Sequence, residues 1–361
     1  MNAISRRELL KGAASAAAAT SATSLAGVPG ARAAESIAAV EWGGNNIKTM
    51  KTVASKQSEV TVNWQLHAPS SSATFAKIKA TWPHPGIDLL AGWDLNWPMM
   101  GAEGWAEPVT VEKVPNLANI PQKLLAKDKA GNVINIPRTM SAILWFYRKD
   151  TTPFQIAKLD DLLDSRLKGK ICFPAPTITS NLQMVTMALA NGGDEKNMEP
   201  AWDFIKKLAQ SGNIGRVATS DADVSSSISS GETSVTFETS TSAIRLARNF
   251  QIHFLAKLDP NATGFRTFFN QEGWSVLKGG NAAAAFKFAN FTVDPEINAE
   301  LNGMIGGIPV NTKSKVPEEV TMFAYKSEEM EQYAYVPDWS YVSTQGDLWM
   351  KRWEKEIQPL L

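Results

Sequence analysis

Over residues 37–90 short β-rich runs alternate with helical stretches, and this order constrains the fold more than any other feature. Residues 37–42 read as a strand that ends at Gly43-Gly44. After a helical stretch, 59–64 alternate, with Val60, Val62 and Trp64 on one side of a second strand. Residues 72–81 suit a helix, and 86–90 a short buried strand. Strand, helix, strand, helix, strand predicts a parallel sheet covered by helices. A second α/β unit follows over 168–235. It has a strand at 170–173, a turn at 174–180 and a helix at 181–190. A further helix carries Trp202, Ile205, Leu208 and Ala209 on one face, and 234–237 form a closing strand.

The first 33 residues carry an address. Ser5-Arg6-Arg7-Glu8-Leu9-Leu10-Lys11 precedes a small-residue apolar run over 12–28, and Ala31-Arg32-Ala33 supplies the small residues that a signal peptidase reads. The expectation is a signal peptide over 1–33, cleaved near Ala33. Its paired arginines resemble the twin-arginine signal for folded export to the periplasm. That segment holds four basic residues and one acid, so the 36 basic and 36 acidic residues of the chain become 32 and 35. A slightly acidic chain offers no basic stripe for nucleic acid. After residue 34 no apolar stretch approaches the roughly 20 residues of a membrane span, so no membrane insertion is expected. The length predicts two domains. Cys172, the only cysteine, lies in Gly169-Lys170-Ile171-Cys172-Phe173-Pro174 and reads as a core thiol.

Several motifs, in order along residues 36–361, resemble bacterial periplasmic solute-binding proteins of ABC importers, nearest the spermidine/putrescine-binding branch. They are Trp42-Gly43-Gly44, Ile136-Pro137-Arg138-Thr139, Leu167-Lys168-Gly169-Lys170, Ser230-Gly231-Glu232, Gly307-Ile308-Pro309-Val310-Asn311 and Arg352-Trp353-Glu354-Lys355-Glu356-Ile357. The resemblance implies an α/β, two-lobed periplasmic-binding-protein fold (type II). Each lobe is a mixed, mostly parallel sheet flanked by helices, with the ligand cleft between them. Lobe 1 is expected over 34–141 plus 268–310, and lobe 2 over 142–267 plus 311–361. It also implies a monomer without catalysis, cofactor or metal, which closes on a solute and delivers it to an inner-membrane permease with its cytoplasmic ATPase.

The residues themselves carry no catalytic signature. His67, His84 and His253 lack metal-ligand spacing, and no nucleophile elbow, Walker loop or dinucleotide fingerprint occurs. Paired acids such as Asp160-Asp161 and Glu318-Glu319 read as helix starts. In open α/β sheets ligands bind beyond the carboxyl ends of strands. That geometry nominates Trp42, Gly43 and Asn45 after the first strand, and Trp93 and Asp94 after the third. Arg138, Thr139 and Ser141 lie near the first crossover. From the second lobe come Thr177, Thr179 and Ser180 at a helix start, then Glu238, Thr239, Ser240 and Thr241. Trp274 is a further pocket candidate, with Arg245 and Arg266 below it.

Ligand charge can be read from the same positions. Polyamine members of the family hold cations between aromatic faces and carboxylates. Here the 174–180 loop contains no acid, and Arg138 stands at the first crossover with no partner evident in sequence. The expected solute is a small organic anion, or a zwitterion using both ends. One alternative is a polyamine or other cation, held by Asp94 and Glu238 with Trp42, Trp93 and Trp274. Others are a secreted cleft enzyme using carboxylates, and a chemoreceptor-coupled or scaffold role without capture.

Overall fold

The computed structural model describes residues 35–67, 71–176 and 178–361. The leader, with its twin-arginine reading, and Thr177 lie outside them. β1 (Glu35–Glu41), α1 (Gly44–Ala54), β2 (Val60–Leu66), α2 (Ser71–Thr81), β3 (Leu89–Trp93) and α3 (Trp97–Glu103) follow the alternation read from sequence. Both β2 and β3 run parallel to β1, with Ile37 opposite Val62 and Ala39 opposite Leu89. The third strand begins at Leu89 rather than at 86. Gly86 adopts φ 66, a left-handed turn conformation. The Asp88 carboxylate next accepts hydrogen bonds from the N–H groups of Ala38 and Asn281, each at 2.7 Å.

A long strand, β4 (Ile136–Arg148), then crosses the molecule. After it come β5 (Ile171–Pro174), α4 (Leu182–Ala190), α5 (Glu199–Gln210), β6 (Ile214–Ala218), α6 (Asp221–Ser230), β7 (Val235–Thr239) and α7 (Ser240–Ala247). β8 (Ile252–Phe254) and α8 (Pro260–Thr263) lead into the second crossing strand, β9 (Thr267–Val276). The rest is α9 (Ala282–Thr292), α10 (Pro295–Ile305), β10 (Ile308–Pro309), α11 (Ser327–Tyr333), β11 (Ala334–Tyr335) and α12 (Trp339–Glu356). Among the described residues the main sheet order is β2-β1-β3-β9-β4-β7-β5-β6. Its wings are parallel, whereas β9 and β4 pair antiparallel at the centre. Local signals place several ends. Asp294 caps α10, Pro295 follows at the position where a missing N–H costs nothing, and Gly306 at φ 77 ends the helix. At Gly273, opposite Pro137, a Cβ would collide with the Ile136 carbonyl, so glycine permits the close crossing.

Two apolar clusters share one face of the central ladder. Ile136 opposite Trp274 belongs to one, with Ile37, Leu89, Val276 and Phe288. Ile143 opposite Phe268 belongs to the other, with Trp145, Phe173, Trp202 and Trp353. Burial of each large side chain contributes roughly 1.5–3 kcal/mol, and the predicted stripe Trp202, Ile205, Leu208 and Ala209 is wholly buried on α5. Between these apolar rungs the ladder carries polar residues, Ser141 opposite Asn270 and Glu272 opposite Thr139. Such an interruption adds nothing to either core.

Cys172 is buried in β5, and burial pushes its thiol up to about 12. The native protein is expected to resist a thiol reagent at pH 8 and to react fully in denaturant. Rapid labelling of the native protein would contradict the core placement.

Candidate ligand-binding site

The polar belt is built from both crossing strands. Arg138 on β4 reaches Glu41 at the end of β1 through Nη1 to Oε2 at 2.5 Å and Nη2 to Oε1 at 2.8 Å. Both side chains are buried, at 2% and 0% exposure. The guanidinium lies 4.2 Å from the Trp274 ring centroid, and its Nη2 is 3.8 Å from the Glu272 carboxylate. Glu272 stands directly opposite Trp93 across the β3–β9 pairing. Next along the chain, Asp94 accepts the Gln271 N–H at 2.7 Å and is thereby held against β9. Burial pushes both carboxyls up to about 7. For Glu272 the Arg138 charge opposes that rise, while Glu41, Asp221 and Asp94 add to it. Trp93 and Glu272 keep partial contact with solvent, as expected of groups on the wall of a concavity.

More acid converges from the other wing, where β5, β6 and β7 end side by side. Glu238 is fully buried, and its Oε1 accepts the Thr239 N–H at 2.6 Å. Its carboxyl also faces that of Asp221 within hydrogen-bonding reach, so the two acids can share a proton. Burial first, then the facing Asp221 carboxylate, drives Glu238 well above the ordinary carboxylate range. Asp221, the first residue of α6, is raised as well, chiefly by burial. It is solvent-exposed yet crowded by protein, which again describes a concave wall. Arg245 sits near both acids but spends its donors on the Thr241 carbonyl and Ser242 Oγ, each at 3.1 Å. Glu41 and Glu272 thus share Arg138, Asp221 and Glu238 share Arg245, and Asp94 has no guanidinium beside it among the described residues.

Beside Glu272, Trp93 meets Trp339 of α12 edge-on, with centroids 5.8 Å apart. Trp42 stacks on His67 at 4.2 Å, and its Nε1 has no partner among the described residues. The imidazole Nε2 lies 3.0 Å from the Ala91 carbonyl, so Nε2 carries the proton and Nδ1 is a bare acceptor. A hollow of about 610 Å³ lies alongside, lined by Leu95, Asn96, Ser340, Ser343 and Thr344 among others. A second, of about 600 Å³, lies between α10 and the 315–321 segment, and neither hollow is lined by a carboxylate of the belt.

Several nominated residues do other work. Arg138 has a partner, Glu41, which corrects the reading of an arginine awaiting an anion. Trp274 is fully buried among Trp64 and Phe288, with its Nε1 on Thr292 Oγ1 at 3.2 Å, so it packs the core beneath Arg138. Thr139 bonds Asn302 of α10. Ser240 Oγ accepts the Ala142 N–H at 3.1 Å, and Thr239 caps α7 while contacting Thr241. Gly43 opens α1, and Asn45 donates to the Met304 carbonyl at 3.3 Å. Thr179 and Ser180, with Asn181, adopt left-handed φ values of 50, 52 and 61, so the chain turns sharply before α4. Thr179 bonds Gln183 there. Arg266 is half-buried near Tyr335.

The structure gathers Trp42, Trp93, Asp94, Arg138 and Ser141 along β1, β3, β4 and β9, and sets Glu238, opposite Leu144 on the other face of the sheet, against Asp221. It adds Glu41, Asp221, Asn270, Glu272 and Trp339, which sequence reasoning did not nominate. Only Glu41 carried a local signal, an acid directly before the Trp42-Gly43-Gly44 strand end.

Comparison with known proteins bears on the same architecture. Residues 48–328 match the family model described as bacterial extracellular solute-binding protein. An ABC transporter protein from Clostridium perfringens superposes with a TM-score of 0.67 at 20% identity, covering 89% of this chain and 100% of that one. A putative extracellular solute-binding protein from Bordetella parapertussis gives 0.68 at 15%, covering 90% and 99%. The spermidine/putrescine ABC transporter substrate-binding protein of Streptococcus pneumoniae gives 0.68 at 17%, covering 89% and 99%. No curated protein matches the chain. At these identities the superpositions speak for the fold alone, a mixed α/β sheet with flanking helices like theirs. The family match spans most of the chain, both crossing strands included, and so this protein belongs to the bacterial extracellular solute-binding proteins.

Proposed function

We propose that this protein captures a small cation-bearing solute at the carboxylate belt and hands it, closed, to the permease of an ABC importer. The observation that carries the reading is the surplus of enclosed carboxylates over guanidinium groups, with Arg138 already spent on Glu41. Enclosed acids of one sign repel each other, and a bound cation removes that cost while forming charge-assisted hydrogen bonds. Trp42, Trp93 and Trp339 would supply aromatic faces to the same charge. Among the alternatives set out from sequence, the balance of charge favours the cation over the anion.

In this reading residues 34–141 with 268–310 form one lobe and 142–267 with 311–361 the other, hinged on β4 and β9. Trp93, Asp94 and Glu272 belong to the first lobe, Asp221, Glu238 and Trp339 to the second. A solute touching both favours the closed form because it binds that form better. Export through a twin-arginine signal over 1–33 and action as a monomer complete the proposal.

A thermal-shift panel on refolded protein tests it, using amines, polyamines, betaines, amino acids, carboxylates, sulfonates, phosphonates and sugars. Ligand at 100 times its dissociation constant stabilises by about 2.7 kcal/mol, so cations are expected to raise Tm by several degrees. Asp221→Asn should weaken the best cation roughly tenfold or more by calorimetry, the loss of about 1.5–3 kcal/mol from one charged hydrogen bond. A shift with anions alone would overturn the cation reading. A recovered ligand of altered mass would instead point to a cleft enzyme.

A further inference from the structure

Ser141 and Asn270 face each other across the β4–β9 ladder, and both are at least nine-tenths buried. Neither Ser141 Oγ nor Asn270 Oδ1 has a hydrogen-bond partner among the described residues. On β9, Asn270 and Glu272 point to the same face because side chains alternate along a strand. The next rungs of that face are apolar, Ile143 opposite Phe268 on one side and Ile136 opposite Trp274 on the other. The belt therefore has an acidic end at Glu272 and a neutral, hydrogen-bonding end at Ser141 and Asn270, separated by about 7 Å along the strand.

We infer that the solute carries a hydroxyl at the end remote from its cationic group, which accepts from Ser141 Oγ and donates to Asn270 Oδ1. This deepens the cation reading and rests on it. Protein interiors rarely leave buried hydroxyls and amides unpaired, and two unpaired groups on facing strands indicate a partner supplied from outside the chain. A hydroxyl both accepts and donates, so one solute oxygen can satisfy the Ser141 hydroxyl and the Asn270 carboxamide oxygen together. A simple diamine would place a second charge against groups that cannot neutralise it.

The experiment compares four probes of equal chain length by calorimetry: 4-aminobutanol, 4-aminobutyrate, 1,4-diaminobutane and butylamine. The amino alcohol is expected to bind at least tenfold tighter than the other three probes, because only its terminal group both donates and accepts without charge. Ser141→Ala should reduce that preference to less than threefold without lowering the Tm of the free protein. Asn270→Asp should move the preference towards the diamine. Equal binding of all four amines, with no effect of Ser141→Ala, would overturn the inference and leave the cation reading standing. Binding of anions with no binding of any amine would remove both.

Discussion

Arg138→Ala is expected to cost about 3–5 kcal/mol of folding stability, because it strands the Glu41 carboxylate in the interior without a partner. The pair is enclosed at 2% and 0% exposure, so water cannot replace the lost guanidinium. The Arg138 carbonyl is held separately by Asn298 at 2.7 Å and Asn302 at 3.1 Å, so the backbone has its own anchors and the loss belongs to the side chain. At this size a loss of that order lowers Tm on the order of 10 °C. The reciprocal change, Glu41→Ala, leaves Arg138 with Glu272 at 3.8 Å as its remaining acid and should cost less. Replacing both partners together, Glu41→Leu with Arg138→Met, should recover most of the loss, since an apolar pair avoids the desolvation that an ion pair must offset. Urea denaturation of the three variants decides it. Single losses under 1 kcal/mol, with no recovery in the double variant, would show that the pair is not a buried ion pair in solution.

The same pair marks where sequence reading stops. The alternation around β1, β2 and β3 and the apolar stripe of α5 are local signals, readable because their cause lies within a few residues. Trp93, Asp94 and Glu238 were also within reach, since strand ends beside helix starts follow from the same alternation. Arg138 was misjudged because its partner stands 97 positions earlier, and only the approach of β1 to β4 through the sheet supplies it. Trp274 was misjudged for a related reason. Its neighbours Trp64 and Phe288 come from other elements, and a tryptophan in a strand looks alike whether it lines a pocket or a core. Glu272 and Asn270 were missed because polar residues at alternate strand positions ordinarily mean a solvated face. In β9 that face lies between two cores instead.

Affinity for a cation is expected to rise about a hundredfold per participating carboxylate between pH 5 and pH 8, the linkage limit for a group held near 7. Asp94 and Glu272 are the groups concerned, both raised to about 7 from ordinary values of 3.8 and 4.5. Glu272 faces Arg138 from β4, Glu41 from β1, Asp94 after β3 and Asp221 from α6, while Asp94 is held by Gln271. Below the folded value each is protonated in the free protein, so a cation must displace a proton before it can bind. Above it the carboxylates are already ionised and affinity levels off. Stability of the free protein runs the other way. Between about pH 4 and 7 the folded chain holds these protons more tightly than the unfolded chain. Folding stability therefore falls as pH rises through that window, by at most about 3–4 kcal/mol per group. Calorimetry in two buffers of different ionisation enthalpy would count the protons released on binding. Glu272→Gln should remove one group's share of the pH slope while lowering affinity at pH 8. A free protein that gains stability from pH 5 to 8, with affinity unchanged across the same range, would mean that these acids are ionised before the solute arrives. The belt would then be a solvated wall whose charges need no ligand to balance them.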